Sequence, residues 1–365
     1  MTNRRSTAAR LAIATMTIAA GLFSGCVTKP ATSPHATARS YRMGFSNTPP
    51  VFSESVAVAT LMLWAQRADA AIFHLNVPWT ALLAGASVDS VVAAQELPLV
   101  SFYRSKGLEV VVEVDVTDGL DRSKEDPALD SAGRSITEPA IQQLYRNFVQ
   151  SLVRQVAPDY LGLASEVNLI QAAAPAPVYS AVVQMTNAAA GDVRSLTTTL
   201  PLYVSVQVET AWGRFGPPGS PYIGVAQQFS DFPFITVLGL SSYPYLGGFT
   251  DPDQLPLDYY ARIDSGHVLP MMVVEGGWAS VSAGTFTSTP QVQARYIARQ
   301  MQILDSAHAI GVFQLEFADI DLAAYQVPPG SILPLFATIG LVDSTLVPKP
   351  ALSVWDSSFA RPRQP

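Results

Sequence analysis

The sequence predicts an α/β fold, a single-domain (β/α)8 TIM barrel, on three observations. From Tyr41 onward, short apolar runs alternate with longer stretches of helical period. Eight such units can be counted along the chain. No G-x-G-x-x-G or G-x-x-x-x-G-K-[ST] loop follows any of them, so the signature of a nucleotide-binding open sheet is missing. An open doubly wound sheet is the alternative, separated from the barrel by strand count alone.

In chain order the expected strands are Arg42 to Ser46, Ala71 to Asn76, Glu109 to Asp115, Tyr160 to Glu166, Leu202 to Gln207, Ile235 to Ser241, Met271 to Glu275 and Gly311 to Leu315. Most are nearly unbroken apolar runs, as strands covered on both faces should be. After Thr137, an expected N-cap, the spacing places Ile141, Leu144, Tyr145, Phe148, Leu152 and Val156 on one helix face. From Gln291 to Ala307, Tyr296, Ile297, Met301 and Leu304 share a stripe, with Gln293, Arg299 and Gln300 expected outside it. Lys349-Pro350-Ala351-Leu352 opens a last short helix containing Trp355; Trp64 and Trp355 read as packing residues.

Composition narrows the chemistry. Of 365 residues 48% are hydrophobic and 14% charged, which excludes a disordered chain and permits a large core. The formal charge is −7 without any dense Lys/Arg block, so nucleic acid is not an expected partner. One Cys and four His exclude a disulfide framework and any multi-Cys metal site. There is no G-x-S-x-G elbow and no H-E-x-x-H, and the loop acids Asp121, Asp126, Asp251 and Asp253 match no EF-hand spacing. Chemistry carried by oxygen ligands or carboxylates is what remains; calcium on those loop acids is an open alternative, and the carboxylate route needs no cofactor and no metal.

The N-terminus reads as an address. Arg4, Arg5 and Arg10 precede an apolar run from Leu11 to Phe23, and Ser24-Gly25 leads into the sole cysteine, Cys26. The run has 13 residues, short of the roughly 20 that cross a bilayer. Its end resembles a bacterial lipobox, with Phe23 where Leu is commoner. The resemblance implies a lipoprotein signal peptide over 1–25, lipid attachment at Cys26 and an extracytoplasmic, membrane-anchored protein of the cell envelope. Val27 lacks the Asp associated with inner-membrane retention. Ordinary cleavage near Gly25, with Cys26 left as a tail thiol, is the alternative. Residues 26–40, rich in Thr, Ala, Pro and Ser, read as a flexible tether, and 41–365 as the barrel domain. Loss of 1–25 removes three Arg and no acid, leaving a charge of −10.

In a barrel the active site lies at the C-terminal strand ends. Glu166 ends the fourth strand and Glu275 the seventh, and these strands face each other across the barrel mouth. Glycoside hydrolysis needs such a pair: one protonated carboxyl for the leaving oxygen and one ionised carboxylate on the other side of the anomeric carbon. Asp115 and Asp118 after the third strand, and Gln207 and Glu209 after the fifth, also fall at strand ends. Trp79, Trp212, Tyr245 and Trp278 lie in following loops, where aromatic faces can stack on pyranose rings.

The arrangement resembles the glycoside hydrolase clan A barrels over essentially all of residues 41–360. Val274-Glu275-Gly276-Gly277-Trp278-Ala279-Ser280 is similar to the nucleophile segment of family 17 β-glucanases. Glu166-Val167-Asn168 and Ser241-Ser242-Tyr243-Pro244-Tyr245 look more like family 53 endo-β-1,4-galactanases. Gly340-Leu341-Val342-Asp343 and Lys349-Pro350-Ala351 resemble their closing segment. The resemblance implies Glu166 as acid/base, Glu275 as nucleophile and Tyr243 as the hydroxyl that holds the nucleophile, with Asn168 beside the substrate. Three positions depart from the clan pattern. Ser165 stands where Asn precedes the acid/base, His74 or Asn76 where an Arg ends strand two, and Gln314, Glu316 and Asp319 span the region of the strand-eight Trp. The expected function is a retaining β-glycoside hydrolase acting on a neutral polysaccharide or its fragments. A surface lipoprotein that only binds glycans is the alternative reading, motivated by those departures, and a non-sugar substrate is a third that rests on the fold's versatility alone.

Overall fold

The structure, a computed structural model, describes residues 38–364 apart from 265, 326 and 328. The signal peptide, Cys26 and most of the tether lie outside the described residues. Arg39 and Ser40, inside the stretch read as a tether, belong to the folded body. Arg39 is buried, with its guanidinium 2.7 Å from Asp69, and Ser40 donates to the carbonyl of Ala309.

The strands are β1 (Arg42–Ser46), β2 (Ala70–Asn76), β3 (Glu109–Asp115), β4 (Tyr160–Gly162), β5 (Leu202–Tyr203 and Ser205–Gln207), β6 (Leu238–Ser242), β7 (Met271–Gly276) and β8 (Gly311–Gln314). All neighbouring pairs are parallel, and β1 lies between β2 and β8. The first segment of β5 pairs with β4 and the second with β6, so the circle closes through this strand. At the break, the Val204 carbonyl accepts the Gly239 N–H at 3.1 Å. The expected barrel is therefore the observed one.

Alternation along the strands builds two cores. Ala70, Ile72, Val111, Tyr203, Met272, Val274 and Phe313 pack together inside the barrel, whereas Val110, Val112 and Val114 join the core beneath the helices. The interior is filled closely enough to require glycine. A Cβ at Gly44 would lie 2.8 Å from the Phe313 ring, and one at Gly162 2.5 Å from that of Tyr203.

The helix after Thr137 runs over Pro139–Gln155 and buries Ile141, Tyr145, Phe148 and Leu152, each contributing about 1.5–3 kcal/mol. Glu138, not Thr137, is its N-cap, because Pro139 sits at the first helical position, where no N–H is needed. The helix Pro290–Ser306 buries Gln293 and Gln300, which the periodicity placed outside the stripe. Each is taken into the core by hydrogen bonds. Gln293 Nε2 donates to the carbonyls of Trp278, Ile339 and Gly340, and Gln300 Oε1 accepts from Gln314.

Between β6 and β7 the described residues form two 3₁₀ turns, Pro252–Gln254 and Ala261–Asp264, in place of an α-helix. Pro252, Pro256 and Pro270 each remove a donor, so a continuous helical ladder cannot form there. The expected fourth strand is also shortened: Leu163 and Ala164 still exchange backbone hydrogen bonds with β5, and regular strand geometry ends before Glu166.

Candidate active site

Glu275 reaches the mouth through an irregularity in its own strand. Met272 and Val274 face the barrel interior, and strict alternation would turn Glu275 outward. The register between β6 and β7 slips instead, from Leu240 opposite Val273 to Ser241 opposite Glu275. This bulge re-aims the carboxyl into a cavity of about 190 Å³. His74, Asp115, Arg122 and Ser165 share that cavity, and Leu120, Leu315, Leu333 and Phe336 form its apolar walls.

Tyr243, at the end of β6, donates its hydroxyl to Glu275 Oε1 at 2.6 Å. Burial and the charge of Glu166 push the Glu275 carboxyl up to about 8, against the opposing pull of the Tyr243 hydrogen bond and Arg122. Tyr243 is in turn fixed by Glu209, whose Oε2 accepts the Tyr243 N–H at 3.0 Å. Glu209 also accepts the Ser242 and Tyr259 hydroxyls, so this buried carboxylate is an internal brace between the fifth and sixth loops.

Glu166 is held at both its side chain and its backbone. Its Oε2 lies 2.9 Å from Arg122 Nε, and its Oε1 accepts the Ser241 hydroxyl at 2.7 Å. The residue has left-handed dihedrals, φ 48° and ψ 44°, a conformation costly for a side chain with a Cβ. Its N–H donates to Ser205 Oγ at 2.9 Å, and the Ser205 hydroxyl donates onward to Glu113. Glu113 sits inside the barrel below the mouth, and burial pushes its carboxyl up to about 7.

Arg122 was not evident from the sequence. It comes from the loop after β3, not from strand two, yet lines the same cavity as His74, and its Nη1 contacts Asp115 Oδ1 and Oδ2 at 2.6 and 2.7 Å. His74, the residue at the strand-two position, is half-buried, and desolvation lowers its pKa to about 4, so it is neutral at pH 7. Its Nε2 lies 3.2 Å from the Val274 carbonyl.

Other expected substrate contacts have structural partners instead. Asn168 exchanges two hydrogen bonds with the Gln207 backbone, at 2.9 and 2.7 Å. The Gln207 side chain is occupied by Glu209 and by the Thr210 N–H. Trp79 and Trp278 are fully buried, as is Tyr245, and offer no face to a ligand. Trp278 packs on Tyr296 and Tyr245, because the chain folds inward immediately after Gly277. Trp212 stacks on Tyr259 and lines a different cavity. At the end of β8, Gln314 is buried against Gln300, and Asp319 is paired with Lys349 at 2.6 Å. Asp251 and Asp253 both accept from Arg295. Of the residues singled out, Glu166, Glu275, Tyr243, Ser165 and Asp115 come together at the mouth.

Neither a family model nor a curated protein matches this sequence. Solved structures do. An exo-β-1,4-mannosidase from Opitutaceae bacterium strain TAV5 is 17% identical with a TM-score of 0.65, over 88% of this chain and 59% of that one. A family 39 glycoside hydrolase from Bacteroides cellulosilyticus WH2 is 16% identical with a TM-score of 0.60, over 88% and 64%. A fungal β-1,4-galactanase is 16% identical with a TM-score of 0.54, over 81% and 90%. This chain thus spans about three-fifths of the first two and most of the third. At these identities the likeness is one of fold, a (β/α)8 barrel shared with these glycosidases.

Proposed function

We propose that this protein hydrolyses a β-glycosidic bond with retention of configuration, through Glu166 and Glu275. The observation that carries the reading is their shared environment. Glu275 lines a cavity with Arg122 and Ser165, and the charge of Glu166 is one of the two main causes that raise its pKa to about 8. Burial and the Glu166 charge both favour a protonated Glu275, and one proton on the pair is what a double displacement requires. In the first step Glu166 would protonate the leaving oxygen while ionised Glu275 attacks the anomeric carbon and forms the glycosyl-enzyme. Glu166 would then take a proton from the water that releases the sugar. Tyr243 would stabilise the anionic form of Glu275.

In the unliganded chain the geometry favours the opposite allotment: Glu166 is ion-paired to Arg122, and burial favours the protonated form of Glu275. The mechanism therefore needs the Arg122–Glu166 contact to loosen as substrate fills the cavity. The cavity, at about 190 Å³, is below the roughly 300–1,000 Å³ usual for drug-sized ligands. With Leu333 and Phe336 against it, it supports a single terminal sugar more readily than a long internal chain. Envelope location through a lipid on Cys26 remains part of this proposal.

The Arg122–Glu166 ion pair also favours a second reading, a barrel that binds glycans without cleaving them. Release of sugar from a panel of aryl β-glycosides and β-linked oligosaccharides, with Glu275→Ala in parallel, separates the two. Turnover that vanishes in the variant supports hydrolysis; glycan binding without turnover supports the binder.

A further inference from the structure

The loops after β5 and β6 enclose a second cavity, of about 700 Å³, on the same end of the barrel as Glu275 but sharing none of the residues that line the first. Two guanidinium groups face it. Arg262 lies over the rings of Trp212 and Tyr222, at 4.8 and 4.4 Å from their centroids, and Arg214 lies 4.1 Å over Phe249. Every other described arginine forms an ion pair or, as with Arg194 and Arg299, donates to a backbone carbonyl. Among the described arginines, Arg214 and Arg262 alone have neither an ion-pair nor a hydrogen-bond partner for their side chains, and both line this one cavity.

Stacking on a ring fixes the plane of a guanidinium while leaving its N–H edge free, so both forks are oriented before any ligand arrives. Such forks bind an oxyanion such as a carboxylate in a bidentate way. The aromatic faces here are already covered by the guanidinium groups, so a neutral sugar ring finds little bare surface to stack on. Glycines complete the walls: Gly213 and Gly248 have φ of 70° and 84°, turns that a side chain would strain. In a chain of formal charge −7, two unpaired cations in one cavity run against the overall field.

We propose that this cavity binds the carboxylate of an acidic sugar, as a site separate from the catalytic mouth. Its preference for an anion follows from the two arginines; that the anion is carried by a sugar rests on the glycosidase reading above. The substrate expected from composition, a neutral polysaccharide, would thereby be one that carries uronate units.

The test is calorimetric titration of the full-length protein with trigalacturonate and with its methyl ester, which has the same shape without the charge. The acid should bind, the ester at least tenfold more weakly, and the Arg214→Ala/Arg262→Ala double variant should lose at least tenfold in affinity for the acid. Equal binding of acid and ester, no binding of the acid, or a double variant that binds like the parent would overturn the proposal. Tighter binding of a sulfated trisaccharide than of trigalacturonate would overturn its carboxylate assignment. Binding is read without turnover, so a protein that binds the acid but cleaves nothing refutes the hydrolase reading and leaves this site standing. The comparison of acid with ester needs no variant and is independent of any effect on folding.

Discussion

Arg122 reaches from the loop after β3 to Glu166 at the end of β4, with Nε 2.9 Å from Oε2, and the same guanidinium grips both oxygens of Asp115. One buried cation thus compensates two buried carboxylates from adjacent strand ends. It also holds the carboxyl of the residue proposed to act as acid/base.

Removing that cation should be costly. Arg122→Met leaves Asp115 and Glu166 without their partner, and breaking a buried pair from one side typically costs about 3–5 kcal/mol. Urea unfolding should show the loss at pH 7, reduced at pH 4, where the orphaned carboxylates can take up protons. A loss below about 1 kcal/mol at pH 7 would show that the pair is hydrated and weak.

Stability should fall as pH rises from about 5 to 8. The folded chain keeps a proton on Glu275 up to about pH 8, whereas an unfolded glutamate releases it near the ordinary 4.5, so folding binds a proton between those values. Glu113, held up to about 7, acts with the same sign. Each such group steepens the decline by at most about 1.4 kcal/mol per pH unit. Glu275→Gln should flatten the profile, and the variant should exceed the parent in melting temperature at pH 8 while differing little at pH 4.5.

Tyr243→Phe deletes the 2.6 Å hydrogen bond to Glu275 and leaves the ring packed edge-on against Phe336. Because that bond favours the ionised carboxylate, its loss should raise the Glu275 pKa further. The expected kinetic result is a fall in kcat of about tenfold to a hundredfold, with KM nearly unchanged and the acid limb of the pH–rate profile moved upward. A change in KM alone would contradict the assigned role.

Ser205→Ala should impair Glu166 without touching the cavity. Ser205 Oγ accepts the Glu166 N–H and its hydroxyl donates to Glu113, so the variant leaves the buried Glu166 N–H without its partner and takes one hydroxyl from Glu113, which keeps Tyr203 and Ser165. The expected cost is roughly 1–3 kcal/mol in stability, with reduced turnover, because the left-handed Glu166 backbone loses its anchor. Ser205→Thr, which keeps the hydroxyl, should recover part of both.

Truncating the buried tryptophans should act on the fold. Trp278→Ala removes a ring packed between Tyr245 and Tyr296 and should cost about 3–5 kcal/mol. Trp79→Ala should behave alike, since that ring is also buried. Denaturation measures the loss, and a change in glycan affinity at unchanged stability would restore the stacking role that the sequence suggested for them.

The barrel was legible because its strands are uniform apolar runs. β1 and β3 fall on the expected residues, and β2 and β7 differ by one residue at an end. That Glu166, Glu275 and Tyr243 would gather at the barrel mouth was legible because strand ends converge there. What escaped was set by tertiary contacts that leave no periodic trace. Arg122 sits in a loop where nothing in the local pattern ties it to Glu166, and the bulge that turns Glu275 inward depends on the pairing of β6 with β7. Asn168 and Gln207 are polar residues at strand ends, yet their hydrogen bonds are spent on each other's loops. The tryptophans followed the expected positions in the chain but not the expected direction, which sequence spacing in loops does not encode.

The most direct test of the central claim is sugar release by the full-length protein from aryl β-glycosides and β-linked oligosaccharides, compared with Glu275→Ala and Glu166→Ala. Release by the parent, lost by about a thousandfold in Glu275→Ala and partly restored in that variant by azide acting as an external nucleophile, is the predicted result. Release that persists unchanged in Glu275→Ala, or no release from any substrate that the protein demonstrably binds, would contradict the account.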